Sequence, residues 1–340
     1  MPKADAVFEG GGVRGIAHAG ALVEAEAAGY TWENVAGTSA GSIIAALVAC
    51  GYTGQEVRDI IWSFDFAELM DKGWEDRLGD IALFPLRFIP RIAKVAPYLP
   101  SILKDFGIYE GNRFQEEIGK YLAKKGKKVF GDLIIPGLEA DQKYRYKLRV
   151  IASDVTAGRM LILPDDIAEF GVNPDDLSIA FALRMSMSIP FFFEPVRLYN
   201  PKTKLTHVIV DGGILSNYPV WLFDVPPGQA PEWPTFGFNL YEPQPDGPID
   251  PFRHAPRNIS NPIGLVTALW DATFSYADQR YISKRHWART IAIDAKGIGS
   301  TNFELTEFQK NTLLDSGRAA ATGFLKEWDF EEYVKKWRTE

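Results

Sequence analysis

The chain has 340 residues, 46% of them hydrophobic and 24% charged, and a formal net charge of −7 at pH 7. That composition suits a chain that folds around a substantial core, and the acidic balance excludes a general nucleic-acid binder, which needs a basic surface. A single cysteine, Cys50, excludes intrachain disulfides and a cysteine-built zinc site, while length alone allows one large domain or two.

Residues 4–8 are apolar and predict a strand that runs into Gly10-Gly11-Gly12-Val13-Arg14-Gly15. A helix is expected over 15–28, ending at Gly29, and then a short strand to Gly37. There Gly37-Thr38-Ser39-Ala40-Gly41 leads into a helix over 40–50 that is apolar on nearly every face. Further on, the stretch 81–103 is apolar but broken by Pro85, Pro90, Pro97 and Pro100, with Arg87, Arg91 and Lys94 as its only charges. It reads as short helices packed over the core with cations reaching water, or as a lid that settles on anionic lipid; the prolines favour the first. A helix from 111 ends at Lys124-Lys125-Gly126-Lys127-Lys128, where cations suit the helix dipole. Strands are expected over 146–152, 207–211, 235–240 and 289–294, with helices over 176–187 and from 262. Proline-rich loops occupy 226–234 and 243–256, and Thr306-Glu307-Phe308-Gln309 has the capping-box chemistry that starts a C-terminal helix. Alternating strands and helices predict an α/β protein, a sheet covered on both faces.

Two motifs carry chemistry. Gly-x-Ser-x-Gly around Ser39 is the nucleophile-elbow pattern, in which a strand turns sharply into a helix and presents the serine. Gly37 and Gly41 are there because a Cβ would clash where the backbone bends, and the following helix aims its positive end at the serine. The earlier Gly10-x-Gly12-x-x-Gly15 matches a dinucleotide fingerprint, but that chemistry needs an acidic residue ending the second strand, and here Gly37-Thr38-Ser39 stands in its place. Successive glycine amides suit an oxyanion instead. Arg14 either adds a charged donor or braces the loop.

Residues 8–18 together with 37–42 resemble the patatin-like lipid acyl hydrolases. The resemblance continues through Gly107-Ile108-Tyr109-Glu110-Gly111, Ala152-Ser153-Asp154-Val155-Thr156-Ala157-Gly158, Ser186-Met187-Ser188-Ile189-Pro190-Phe191-Phe192, and Val210-Asp211-Gly212-Gly213 with Asn217-Tyr218-Pro219-Val220. It spans most of 4–240, while 54–106 and 241–340 match only in general character. It implies a single domain over 1–340, a three-layer α/β/α sandwich with a mostly parallel central sheet and a lid-like or packing insertion at about 54–106. It also implies Ser39 as nucleophile and Asp211 as its base, with no histidine, no cofactor and no metal. Gly10, Gly11, Gly12 and Arg14 would form the oxyanion hole, supported by Gly37, Gly41, Gly212 and Gly213. The implied substrate is a membrane lipid or micelle, phospholipid or galactolipid, met by peripheral contact.

Two other readings stay open. Ser39, Asp211 and either His254 or His286 follow the chain order of an α/β-hydrolase triad, although those folds lay down several strands before the elbow. A non-catalytic lipid-binding module would keep the fold without the activity. Hydrolysis and transfer to an alcohol differ only in what attacks the acyl-enzyme, and the oligomeric state is not written in the sequence. A core strand beginning at 4 leaves no room for a secretory signal, so a cytoplasmic protein is expected, with leaderless secretion an alternative.

Overall fold

The computed structural model describes residues 1–64, 104–226, 228–243, 272–273, 282–300 and 305–338. The stretch 81–103, His254, the loop beyond 243 and the helix expected from 262 lie outside the described residues. Among the described residues eight strands form one sheet: β1 (Lys3–Phe8), β2 (Thr31–Thr38), β3 (Leu148–Asp154), β4 (Arg159–Leu163), β5 (Val196–Asn200), β6 (Leu205–Asp211), β7 (Thr235–Tyr241) and β8 (Thr290–Asp294). Pairing follows the path β5-β6-β3-β2-β1-β7-β8, with β4 also paired to β3. The run β3-β2-β1-β7-β8 is parallel, whereas β4, β5 and β6 join antiparallel. The sheet is therefore parallel at its centre and antiparallel on one side, a mixture the sequence pattern did not reveal. β1 to β3 are buried along almost their whole length, as parallel strands covered on both faces must be. The edge strand β5 alternates exposed and partly buried residues instead.

Helices flank the sheet: α1 (Gly15–Ala27), α2 (Ala40–Ala49), α3 (Gly54–Ser63), α4 (Asn112–Lys124), α5 (Ile179–Ser186), α6 (Lys284–Trp287), α7 (Glu307–Glu327) and α8 (Phe330–Trp337). All ten residues of α2 are buried, which explains its uniformly apolar sequence. The start of the expected insertion is α3, which opens with a capping box between Thr53 and Glu56 and packs on α1. Its first N–H, from Gly54, donates to Glu26 of α1. Lys125, at the end of α4, pairs with Glu56 at 3.1 Å, so part of the basic run is used locally. The capping box at Thr306 and Gln309 opens α7, which lies along α1.

Asp224 gathers the far end of the chain into one ion cluster. Its carboxylate receives His286 Nε2–H at 2.9 Å and Arg338 at 2.7 Å, together with Arg289 and Arg285. Burial alone would raise this carboxyl, but His286, Arg289 and Arg338 outweigh it and hold it well below the usual carboxylate range.

Candidate active site

The sheet explains why two residues 172 positions apart touch. β2 pairs with β3 as far as Thr38 opposite Ile151, and β6 pairs with β3 from Asp211 opposite Ala152. β4 occupies the other edge of β3 from Val150 to Asp154, so β2 and β6 must share one edge. They run toward each other along it and stop at adjacent rungs. The residue after Thr38 and the last residue of β6 meet at that junction.

Ser39 sits there with φ +51° and ψ −131°, a strained conformation for a non-glycine residue and the geometry of an elbow. The elbow depends on its glycines. A Cβ on Gly37 would come inside 3.0 Å of the Gly41 carbonyl, and one on Gly41 inside 3.0 Å of the Phe8 and Glu9 carbonyl oxygens. Ser39 Oγ–H donates to Asp211 Oδ2 at 2.6 Å and lies 3.6 Å from the Met187 sulfur. Asp211 is fully buried, and its second oxygen, Oδ1, accepts the Gly213 N–H at 2.8 Å. Burial pushes the Asp211 carboxyl up to about 7, although the bonds from Ser39 and Gly213 pull it down. Gly212 lies against the Ile151 carbonyl and the Thr38 side chain, with no space for a Cβ.

The last turn of α5 and the residues after it hold both partners. Ser39 N–H donates to Ser186 Oγ at 2.8 Å, and Asp211 N–H donates to the Ser188 carbonyl at 2.8 Å. Arg184 in turn donates to Ser188 Oγ at 2.6 Å and to the Glu110 and Glu194 carbonyls. Ser186 and Ser188 stood in a recognised block, but nothing local in the sequence says that their bonds reach the elbow and β6.

The first glycine loop lies against the elbow: a Cβ on Gly10 would reach Ser39 Cβ at 3.0 Å. The Gly10 N–H donates to the Asn217 carbonyl at 3.1 Å, and Asn217 Nδ2 donates to Gly10 O and Glu9 Oε1, each at 3.0 Å. Glu9 Oε2 accepts from Asn239 Nδ2 at 2.8 Å and from Leu240 N–H at 2.5 Å. Arg14 bonds the Gly11 carbonyl at 3.3 Å and lies 3.5 Å from Glu242, so it braces the loop. Among the described residues nothing accepts the N–H of Gly11 or Gly12, and Gly12 has φ +56°, a left-handed turn that glycine makes without strain. Glu9 and Asn217 hold the loop in place through these bonds, a role that no local sequence signal announces.

The described histidines are engaged elsewhere. His18 is buried, and burial lowers it to about 4, so it stays neutral and donates Nε2–H to the Glu9 carbonyl at 2.9 Å. His207 donates to Asp154 at 2.7 Å. His286 gives Nε2–H to Asp224 while its Nδ1 accepts the Ser283 N–H at 3.1 Å. Cys50 is buried, which pushes its thiol up to about 12, an inert state. Among the described residues no group of His, Cys, Asp and Glu side chains is arranged to hold a metal ion, and no helix is long and apolar enough to cross a membrane.

A strand-to-helix turn bearing a serine, on a sheet flanked by helices, defines an α/β protein of nucleophile-elbow type. The chain belongs to the patatin-like phospholipase family, whose model it matches over residues 6–224. YqhO of Bacillus subtilis (strain 168), an uncharacterized protein, is 37% identical over 327 residues, covering 96% of this chain and 99% of its own. R571 of Acanthamoeba polyphaga mimivirus, also uncharacterized, is 24% identical over 314 residues, covering 91% and 89%. Among solved structures, VipD from Legionella pneumophila superposes with a TM-score of 0.51 at 18% identity, over 95% of this chain and 66% of VipD. This chain thus spans just under two thirds of VipD, and the likeness shows a shared fold alone.

Proposed function

We propose that the protein is a lipid acyl hydrolase that cleaves fatty-acyl esters of phospholipids or galactolipids through Ser39 and Asp211. The observation that carries this reading is the 2.6 Å bond from Ser39 Oγ–H to a buried carboxylate at a strained elbow. An ordinary aspartate, titrating near ~3.9, is a weak base toward a hydroxyl. Raised to about 7, Asp211 approaches the optimum for general-base work near neutral pH.

Ser39 Oγ adds to the ester carbonyl as its proton passes to Asp211 Oδ2. The carbonyl oxygen becomes the oxyanion, held by the Gly11 and Gly12 N–H groups, which have no acceptor among the described residues; such donors are worth about 3 kcal/mol each. Collapse breaks the bond to the alcohol, which leaves with the proton from Asp211. Water then adds to the acyl-enzyme, giving its proton to Asp211, and release of the fatty acid returns that proton to Ser39. Gly10 and Arg14 hold the loop in this scheme, because their donors are bonded to Asn217, Gly11 and Glu242.

A serine-directed fluorophosphonate tests the nucleophile. Label on the wild type, lost in Ser39→Ala and strongly reduced in Asp211→Asn, is the expected result. Full labelling of Asp211→Asn with loss in His254→Ala or His286→Ala would replace the dyad by a triad. A panel of phospholipids and galactolipids read by mass spectrometry then identifies the substrate.

A further inference from the structure

Two exposed phenylalanines share a backbone conformation that aromatic residues rarely adopt. Phe106 and Phe191 both have φ +66° and are 48% and 54% exposed. Each combines a left-handed backbone, unfavourable for a bulky side chain, with an apolar ring left in water. Strain of this kind concentrates at functional surfaces.

The two turns form one piece of surface. The Ile108 and Tyr109 N–H groups both donate to the Phe192 carbonyl, and the Glu194 N–H donates to the Tyr109 carbonyl. Phe191 also lies close to the chemistry along the chain: Met187 touches Ser39, and the Ser188 carbonyl holds Asp211. Four extended residues span at most about 14 Å, so the Phe191 Cα lies within that distance of the Met187 Cα.

On the other side the patch continues onto the edge hairpin of β5 and β6. The Arg197 guanidinium lies over the Phe106 ring at 5.1 Å. Two residues on, Tyr199 shares the strand face of Arg197 and is 55% exposed, as is Leu205. From 195 to 206 the chain carries Arg197, Lys202 and Lys204 and no carboxylate, within a protein of net charge −7. Aromatic rings with a cationic rim match the interfacial zone of a bilayer, where rings sit at headgroup depth and cations meet lipid phosphates.

We propose that this surface is the membrane-docking face: Phe106 and Phe191 enter the interface of an anionic phospholipid bilayer, and Arg197, Lys202 and Lys204 bind its phosphates. Docking there would bring the elbow to the lipid from which it takes its ester. The inference rests on the lipid-hydrolase reading for its purpose, but the binding it describes is measured without turnover.

The test uses the full chain and sedimentation with vesicles of phosphatidylcholine, alone or mixed with phosphatidylglycerol. The variant is Phe106→Asn with Phe191→Asn. Asparagine accepts the left-handed conformation, so the substitutions relieve strain, and the thermal midpoint should hold or rise. Vesicle affinity should fall roughly 30- to 100-fold, while turnover of a soluble short-chain ester stays at the wild-type rate. Changing Arg197, Lys202 and Lys204 to Gln should remove the preference for phosphatidylglycerol, by roughly fivefold per cation. Unchanged vesicle affinity in the asparagine variant overturns the proposal. So does wild-type self-association that the asparagine variant abolishes while its vesicle binding persists, since the patch would then cover a second copy. If the wild type turns over no ester at all, the hydrolase reading fails while the vesicle result still decides the docking face.

Discussion

Asp211→Asn should make the protein far less active and more stable at once. Asn keeps the size of the side chain, its Oδ1 still accepts the Gly213 N–H, and its Nδ2 donates to Ser39 Oγ, which reverses its role. What disappears is a charge held in a fully buried place. Burial holds the folded-state carboxyl at about 7 against an ordinary value of 3.8. At about 1.4 kcal/mol per pH unit, forming the anion in the folded protein costs about 4 kcal/mol, the ceiling on the gain. The direction with pH follows from linkage. Below pH 4 both folded and unfolded chains hold the proton, and the charge costs nothing. Between about 4 and 7 only the folded chain holds it, so wild-type stability falls as pH rises through that window, then levels off above 7. Asn does not titrate. Urea unfolding should therefore show the variant ahead by about 2–4 kcal/mol near pH 8 and by under about 2 kcal/mol near pH 5. Activity should fall about 10³-fold, the scale of a lost general base. An equal gain at both pH values, or no gain near pH 8, refutes the claim that burial of the charge sets the basicity of Asp211.

The wild-type rate should rise with pH to a plateau with a midpoint near the Asp211 value of about 7, since only the deprotonated form accepts the serine proton; a midpoint near 4 in the pH profile of kcat would contradict it. Ser186→Ala leaves the buried Ser39 N–H without its acceptor and should cost about 1–3 kcal/mol in urea unfolding, with slower fluorophosphonate labelling. Gly41→Ala drives a methyl into the Phe8 and Glu9 carbonyls, and scanning calorimetry should show Tm lowered by roughly 5 °C or more. Asp224→Ala strands Arg289 and Arg338, both buried, and should cost about 3–5 kcal/mol at neutral pH. Because the Asp224 carboxyl is depressed in the folded state, that stability is present above about pH 4 and lost as pH falls further; a deficit that grows on acidification would argue against the ion cluster.

Much of the fold is legible because its signals are local. The elbow needs glycine on both sides of Ser39, the buried α2 has no polar face, and Thr306 with Gln309 announces α7 within four residues. The antiparallel half was missed for a physical reason. β4 and β5 are five residues each, and such short runs serve a strand or a loop equally well. α3 could have been read from Thr53 and Glu56, whose capping box has the same chemistry as the one at Thr306. The approach of Asp211 to Ser39 is different in kind. No spacing encodes it, because it depends on β6 meeting β2 end to end along β3, and only the family resemblance paired the two residues in advance. The bonds of Glu9, Ser186 and Asn217 are likewise invisible until distant segments have met.

The end-to-end junction of β2 and β6 also separates chemistry from chain length. Serine and carboxylate are registered by rungs on one shared neighbour, so their spacing does not depend on how much polypeptide is threaded between them. Segments inserted in that interval can grow, shrink or be exchanged, leaving the Ser39–Asp211 contact in place while its surroundings are rewritten. A scaffold wired in this way suits grafting: a foreign loop placed between β2 and β6 inherits the Ser39–Asp211 contact and needs to supply only the walls around it.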